Sequence, residues 1–120
     1  MRPTKLKPSV EDVLVLCSLG SEGMNRLAEL IPEVETLKHQ EQSASSHAEG
    51  SVFVHTGMVL DALPLGVLPA GIVLAALFHD VGKPLTGKLR SSDGKWTFYD
   101  HEKVGSVLAA SICRRLGVHE

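Results

Sequence analysis

Aromatic side chains are scarce, with one Trp, one Tyr and three Phe in 120 residues, so any core must be built from Leu, Val, Ala and Ile. The 43% apolar content supplies those residues, which excludes general disorder. Cysteine is also rare. Cys17 and Cys113 stand in no CxxC or zinc-knuckle spacing, which excludes a disulfide framework and points to a reducing compartment with both thiols packed as small hydrophobes. Charge of one sign is missing too. A net charge of −2 and a pI near 6.3 exclude a field that would draw the whole protein onto nucleic acid or an anionic membrane. Nucleic-acid contact is confined to a local patch, and nothing points to DNA. The longest apolar run, from Gly66 to Phe78, is broken by Pro69 and Gly71 and falls short of the ~20 residues that span a bilayer. The basic start from Met1 to Pro8 leads into Glu11 and Asp12 rather than an apolar stretch, so no signal peptide is expected. Gly-rich phosphate loops, Ser-His-Asp orders and HExxH are absent. The expectation is one cytoplasmic domain over residues 1–120.

Periodicity predicts a mainly α fold. Ser9 and Asp12 mark the start of a helix over Val10 to Leu19, with Gly20 as its stop. Ser21 is expected to cap a second helix from Glu22 to Leu30, and Pro32 either ends it or opens a short helix to Leu37. A polar loop follows over residues 38–50. The third main helix runs from Ser51 to Leu63, with His55 on a stripe of Val52, Val59 and Ala62. The fourth runs from Pro69 or Ala70 to Asp80, closed by Gly82 and Pro84, with His79 on a stripe of Ile72, Ala75 and Ala76. A small hairpin turned at Asp93-Gly94 precedes the last helix, His101 to Leu116, which Asp100 is expected to cap. Val104, Leu108 and Ile112 should form its buried face, with His101 on that face and Gly117 as the stop.

Three histidines thus fall on apolar stripes of three helices. One buried neutral histidine with a satisfied hydrogen bond is ordinary. Three would bring six polar nitrogens into a core with few other polar groups, which costs stability unless they share a partner. A metal ion is that partner. With the carboxylate of Asp80, the imidazoles make an N/O donor set that favours Mn, Fe, Ni, Co or Zn over Ca. His79 and Asp80 are adjacent and point about 100° apart on a regular helix, so they reach one centre only at a helix edge or end.

Leu77-Phe78-His79-Asp80-Val81-Gly82-Lys83-Pro84 resembles the His-Asp-x-Gly-Lys-Pro signature of the HD-domain metal-dependent phosphohydrolases. His55-Thr56, followed by Val59-Leu60-Asp61, resembles the first-helix histidine of that superfamily. His101-Glu102-Lys103-Val104-Gly105 resembles its Gly-His-Glu-x-x-Gly-Ala segment, with Asp100 in place of glycine and Ser106 in place of alanine. The resemblance covers residues 25–117, and is strongest to the HD domain of bacterial tRNA CCA-adding nucleotidyltransferases. There Leu30-Ile31-Pro32-Glu33 has a counterpart, as does His47-Ala48-Glu49-Gly50, usually with proline at Ala48. The resemblance implies an HD-like helical bundle with one or two divalent ions, Mg also admissible, at His55, His79, Asp80 and His101, acting on phosphate esters. Asp80 and Lys83 are the expected catalytic residues, Lys83 as a point charge on a substrate phosphate.

One departure stands out. The family's last aspartate ligand lies well downstream of the histidine matched by His101, and neither Asp100, Glu102 nor Glu120 takes its place. The chain reads as shortened relative to the family, and a second copy covering the last helix is the expected consequence. Thr56 and Thr86 are read as local support, Glu49 and His47 as loop residues, and His39 and His119 as surface residues. Trp96, Phe98 and Tyr99 are read as packing against the helices, the alternative being a stacking surface for a base. Two functions follow. One is a phosphohydrolase acting on a nucleotide or an RNA end; the other is an HD-like module that keeps a structural metal, or binds nucleotide or RNA, without turnover. A third reading, one part of a nucleotidyltransferase-like protein, needs a catalytic head with a Gly-Ser motif and paired acidic residues that this sequence does not contain.

Overall fold

The computed structural model describes residues 8–42, 50–64 and 66–118. Helix α1 spans Val10–Cys17 and begins at the expected capping box, in which the Ser9 hydroxyl accepts from Asp12 N and the Asp12 carboxylate accepts from Ser9 N. It ends two residues before Leu19. Gly20 follows at φ +62°, a left-handed conformation open to glycine at little cost, and starts a 3₁₀ turn over Gly20–Gly23. Ser21 does not cap the next helix. Its backbone N–H instead donates to Asp61 Oδ1 at 2.8 Å, tying the turn to a helix forty residues on. Helix α2 spans Met24–Leu30, and α3 spans Pro32–Thr36 with Pro32 at its first position, where the missing N–H costs nothing.

The segment expected as a polar loop over residues 38–50 is ordered at both ends. Leu37–His39 forms a 3₁₀ turn, Gln40 is buried, and Glu41 pairs with Ser51 in an antiparallel bridge. Backbone hydrogen bonds from Gln42 N to Gly50 O and from Val52 N to Gln40 O close the base of the 43–49 stretch. Serine content signals a loop but carries no information about such long-range pairing. His47, Ala48 and Glu49 lie outside the described residues.

Helix α4, Val52–Asp61, is capped by the Ser51 hydroxyl; α5 spans Ala70–Phe78. Pro84 does not close α5. It lies in the first turn of a one-turn helix, α6, Lys83–Thr86, where its fixed φ suits a helix start. Strands β1, Lys88–Leu89, and β2, Trp96–Thr97, then pair antiparallel, Lys88 with Thr97 and Leu89 with Trp96. The hairpin turns at Gly94, at φ +70°, as the Asp-Gly pair predicts. Helix α7 spans His101–Arg115, with Gly117 left-handed beyond it. Asp100 precedes α7 at φ +64° and makes no side-chain cap, contrary to expectation. A left-handed residue suits glycine better, and the Asp100 carboxylate is carried away from the first-turn amides.

One apolar cluster gathers Val13, Leu27, Val34, Leu60, Leu77 and Ile112 with their neighbours, drawing on every helix except α6. The helix faces differ from those expected. On α4 the buried side chains are Val52, Thr56 and Leu60, with Val59 half-buried and Ala62 exposed. On α5 Leu74, Leu77 and Phe78 are buried whereas Ile72 and Ala75 are exposed. Every residue from Ile72 to Phe78 is apolar, so periodicity offers no contrast by which to choose a face. On α7 Ile112 is buried but Val104 and Leu108 only half so, because Gly105 is the residue pressed against the body. A Cβ on Gly82 would stand 2.5 Å from His101 O and 2.6 Å from Gly105 N, so the turn after α5 meets the start of α7 backbone against backbone. That contact sets where His101 falls. Among the described residues, no helix is long and apolar enough to cross a membrane.

Candidate metal centre

His79 is the C-cap of α5 and Asp80 lies just beyond it, where the chain has left the helix and adjacent side chains can turn to one point. His55 comes from the middle of α4, and ligand atoms of His55, His79 and Asp80 all lie within 4.8 Å of one another. His101, at the first position of α7, approaches from the far side. The Asp80 carboxylate is the hub: Oδ2 lies 2.9 Å from His79 Nε2, 3.4 Å from Lys83 Nζ and 3.8 Å from His55 Nε2, while Oδ1 lies 3.7 Å from His101 Nε2. The fold thus gathers His55, His79 and Asp80 into one metal-competent group, with His101 beside it on Asp80 Oδ1. The reason offered for His79 was not right, because its side chain is 35% exposed and faces the site rather than the core.

Two of the rings are oriented by the backbone. His79 Nδ1 donates to Ala76 O at 2.7 Å and His101 Nδ1 donates to Phe98 O at 3.0 Å. A carbonyl only accepts, so each Nδ1 carries a proton and each Nε2 faces Asp80, the tautomer a metal ligand requires. The hydrogen bond to Asp80 raises the His79 pKa against the opposing effect of burial. For Asp80 burial pushes the pKa up, but the His79 hydrogen bond and the charges of His79 and Lys83 outweigh it and hold the carboxyl below its usual range. The site therefore keeps a buried anion ionised and surrounds it with imidazole nitrogens, a donor set that fits a borderline divalent cation. A cation held at His79 Nε2 would take the place of its hydrogen bond to Asp80.

Lys83 is held within the site. Its Nζ donates to Gln42 Oε1 at 2.8 Å, contacts Asp80 and lies 5.0 Å over the Phe98 ring, with only 15% of the side chain exposed. Gln42 was not singled out from the sequence, and no local signal marks it. Phe98 stacks on Trp96 at 6.4 Å, within the hairpin itself, while Tyr99 is exposed rather than packed against the helices as expected. Thr86 Oγ1 donates back to Gly82 O, in keeping with local support, whereas Thr56 is buried in the core face of α4 with no partner for its hydroxyl among the described residues. His39 lies on the surface beside Glu35. Glu102 is exposed, and among the described residues no second carboxylate joins the metal-competent group. His119 and Glu120 lie outside the described residues. Cys17 is buried, which pushes its thiol up to about 12, and both cysteines are free.

The model of the HD domain family matches residues 52–120, more than half of the chain. The chain belongs to the HD domain family. Its curated relatives include proteins named Multifunctional CCA protein. That of Paracidovorax citrulli is 35% identical over 96 residues, 80% of this chain and 22% of the relative. That of Halorhodospira halophila is 45% identical over 90 residues, 75% of this chain and 21% of the relative. That of Pseudomonas aeruginosa is 38% identical over 93 residues, 77% of this chain and 22% of the relative. The HD chain thus spans about a fifth of the length of these relatives. No solved structure matches it.

Proposed function

We propose that this HD domain is a metal-dependent phosphohydrolase that cleaves a phosphomonoester or phosphodiester of a nucleotide or an RNA end. The observation that carries the reading is the convergence of His55, His79 and Asp80 within 4.8 Å. His101 adds a fourth donor on the other carboxylate oxygen. A divalent ion held by these residues would lower the pKa of a bound water toward ~7 and offset charge gathering on the phosphoryl oxygens. His79 and His101 keep their rings fixed through Ala76 and Phe98, and Asp80 presents its two oxygens to different histidines, which suits it to bridge a second ion. Lys83 contacts Asp80, which supports a positioning role ahead of direct contact with substrate. The donor set favours Mn, Fe, Ni, Co or Zn, with Mg as a further candidate. An RNA end as substrate is supported by the names of the relatives and by the likeness to tRNA nucleotidyltransferase HD domains. Free cysteines support a reducing compartment such as the cytoplasm.

The test is hydrolysis of bis-p-nitrophenyl phosphate and p-nitrophenyl phosphate with and without added metal. Metal-stimulated turnover that disappears in Asp80→Ala is the expected result; equal rates in parent and variant would remove Asp80 from the reaction. A second reading, a metal- or nucleotide-binding module without turnover, is favoured because among the described residues no second carboxylate joins the group. It predicts metal uptake with no hydrolysis of either ester. A homodimer is the further proposal for the exposed side of the last helix, which a monomeric mass in sedimentation at micromolar concentration would refute.

A further inference from the structure

We propose that Gln42 is a positioning residue that holds the Lys83 ammonium away from the Asp80 oxygen at which a metal would bind, an inference that rests on the metal-centre reading above. Lys83 Nζ donates to the neutral Gln42 amide at 2.8 Å and stands 3.4 Å from the charged Asp80 Oδ2. The order is the reverse of what charge alone dictates. A free ammonium beside a carboxylate closes to about 2.7–2.9 Å, because a charge-assisted bond is stronger than one to an amide. Oδ2 is also the oxygen that faces His55 and His79, so an ammonium that closed on it would compete with a divalent ion for the same lone pairs. Gln42 and the Phe98 ring, 5.0 Å below Nζ, hold the cation back from that position.

Stability does not account for a glutamine here. Gln42 Nε2 is buried and has no hydrogen-bond partner among the described residues, an arrangement that costs stability. Leucine, of similar volume, would remove that cost but could not accept from Lys83. Nor can the amide turn over, since its NH₂ would then face the ammonium donor to donor. The rest of the segment is built to place it. Pairing of Glu41 with Ser51 runs the chain alongside the start of α4, the helix that carries His55. Gln40 packs against Gly87, where a Cβ would lie 2.7 Å from its Oε1, so the end of α6 is pinned to the same segment. Gln42 and Lys83 are 41 residues apart in sequence, and these two contacts register them.

The test is a cobalt(II) titration, followed by the visible absorption of the bound ion, on the full chain and on Gln42→Leu, Gln42→Glu, Lys83→Met and the Gln42→Leu/Lys83→Met pair. Gln42→Leu should weaken cobalt binding about 10-fold without lowering Tm. Gln42→Glu keeps the acceptor and should bind within about threefold of the parent or more tightly. In the Lys83→Met background the leucine substitution should change affinity less than about twofold, because Gln42 acts only through Lys83. The inference falls if Gln42→Leu titrates like the parent, if it weakens binding equally with and without Lys83, or if it lowers Tm. A parent that takes up no cobalt would bring down the metal-centre reading and this inference with it, whereas a parent that binds beside an unaltered Gln42→Leu overturns the inference alone.

Discussion

Asp61 and Asp80 lie at opposite ends of the α4–α5 pair, and what holds each of them differs in kind. Asp61 ends α4, is exposed, and accepts the backbone N–H of Ser21 beside a cavity of about 440 Å³ lined by Leu14, Cys17, Leu60, Leu63 and Val73. Asp80 follows α5, is buried, and meets three imidazoles and an ammonium. An amide N–H cannot be titrated away or exchanged for a cation, so a carboxylate bound to one serves the fold. Partners that titrate, with rings already turned by backbone carbonyls, let a carboxylate exchange protons for a metal. That cavity is at the Asp61 end, where among the described residues no metal-competent cluster forms, so the hollow and the chemistry lie in different places in this molecule.

The comparison breaks most sharply under matched substitutions. Asp80→Asn keeps shape and removes charge, and should lower metal-stimulated hydrolysis at least about 100-fold, since even partners outside the ligand set cost 10–100-fold. Asp61→Asn should leave metal content and turnover unchanged and lower stability by about 1 kcal/mol in urea unfolding, the cost of one weakened hydrogen bond. Loss of metal from Asp61→Asn would show that the two ends are coupled and the distinction is wrong.

A subtler contrast concerns the two glycines that meet at the Asp80 end. Gly82→Ala puts a methyl 2.5–2.6 Å from backbone atoms of His101 and Gly105, which cannot swing aside. It should cost about 1–3 kcal/mol and weaken metal binding, because α7 must move and take His101 with it. Gly105→Ala puts its methyl no closer than 3.5 Å to Gly82 N, an ordinary contact. Alanine also favours the helix by about 0.8–1.0 kcal/mol over glycine, so Gly105→Ala should be as stable as the parent or more so. Thermal melts of both variants, with and without metal, decide the matter; equal destabilisation would mean that both glycines are pressed equally hard.

How much of this was legible without coordinates follows from the range of each signal. The Ser9 capping box, the Asp93-Gly94 turn and the His55, His79, Asp80 and His101 set are local patterns or motif matches, and all appear where expected. Faces were readable only where apolar and polar residues alternate. From Ile72 to Phe78 they do not, and the inferred stripe on α5 pointed the wrong way. What sequence could not supply was pairing between distant segments. The bridge from Glu41 to Ser51 and the amide of Gln42 on Lys83 depend on two stretches meeting, and neither leaves a periodic or compositional trace. The Asp100 cap failed because a residue type that favours N-caps also tolerates left-handed backbone, and Asp100 takes the second use here.

A third carboxylate sharpens the contrast at the smallest scale. Glu33 on α3 receives a bidentate pair from Arg115 on α7, at 2.7 and 2.8 Å, and that hydrogen bonding holds its carboxyl below the usual range against the opposing effect of burial. A lowered folded-state pKa contributes stability that is present above the unfolded value, near 4.5, and is lost as pH falls through the lower folded value. Arg115 is 46% exposed at its side chain, so solvent screening limits the contribution to about 1 kcal/mol or less. Arg115→Met should therefore be slightly less stable than the parent at about pH 7, and the difference should fade as the pH falls below 4.5 through the lower folded-state value. Cobalt affinity should be unaffected in Arg115→Met, because neither Glu33 nor Arg115 belongs to the Asp80 cluster. A stability difference that persisted unchanged to low pH would show that Arg115 supports α7 through its alkyl stem on α3 rather than through its charge.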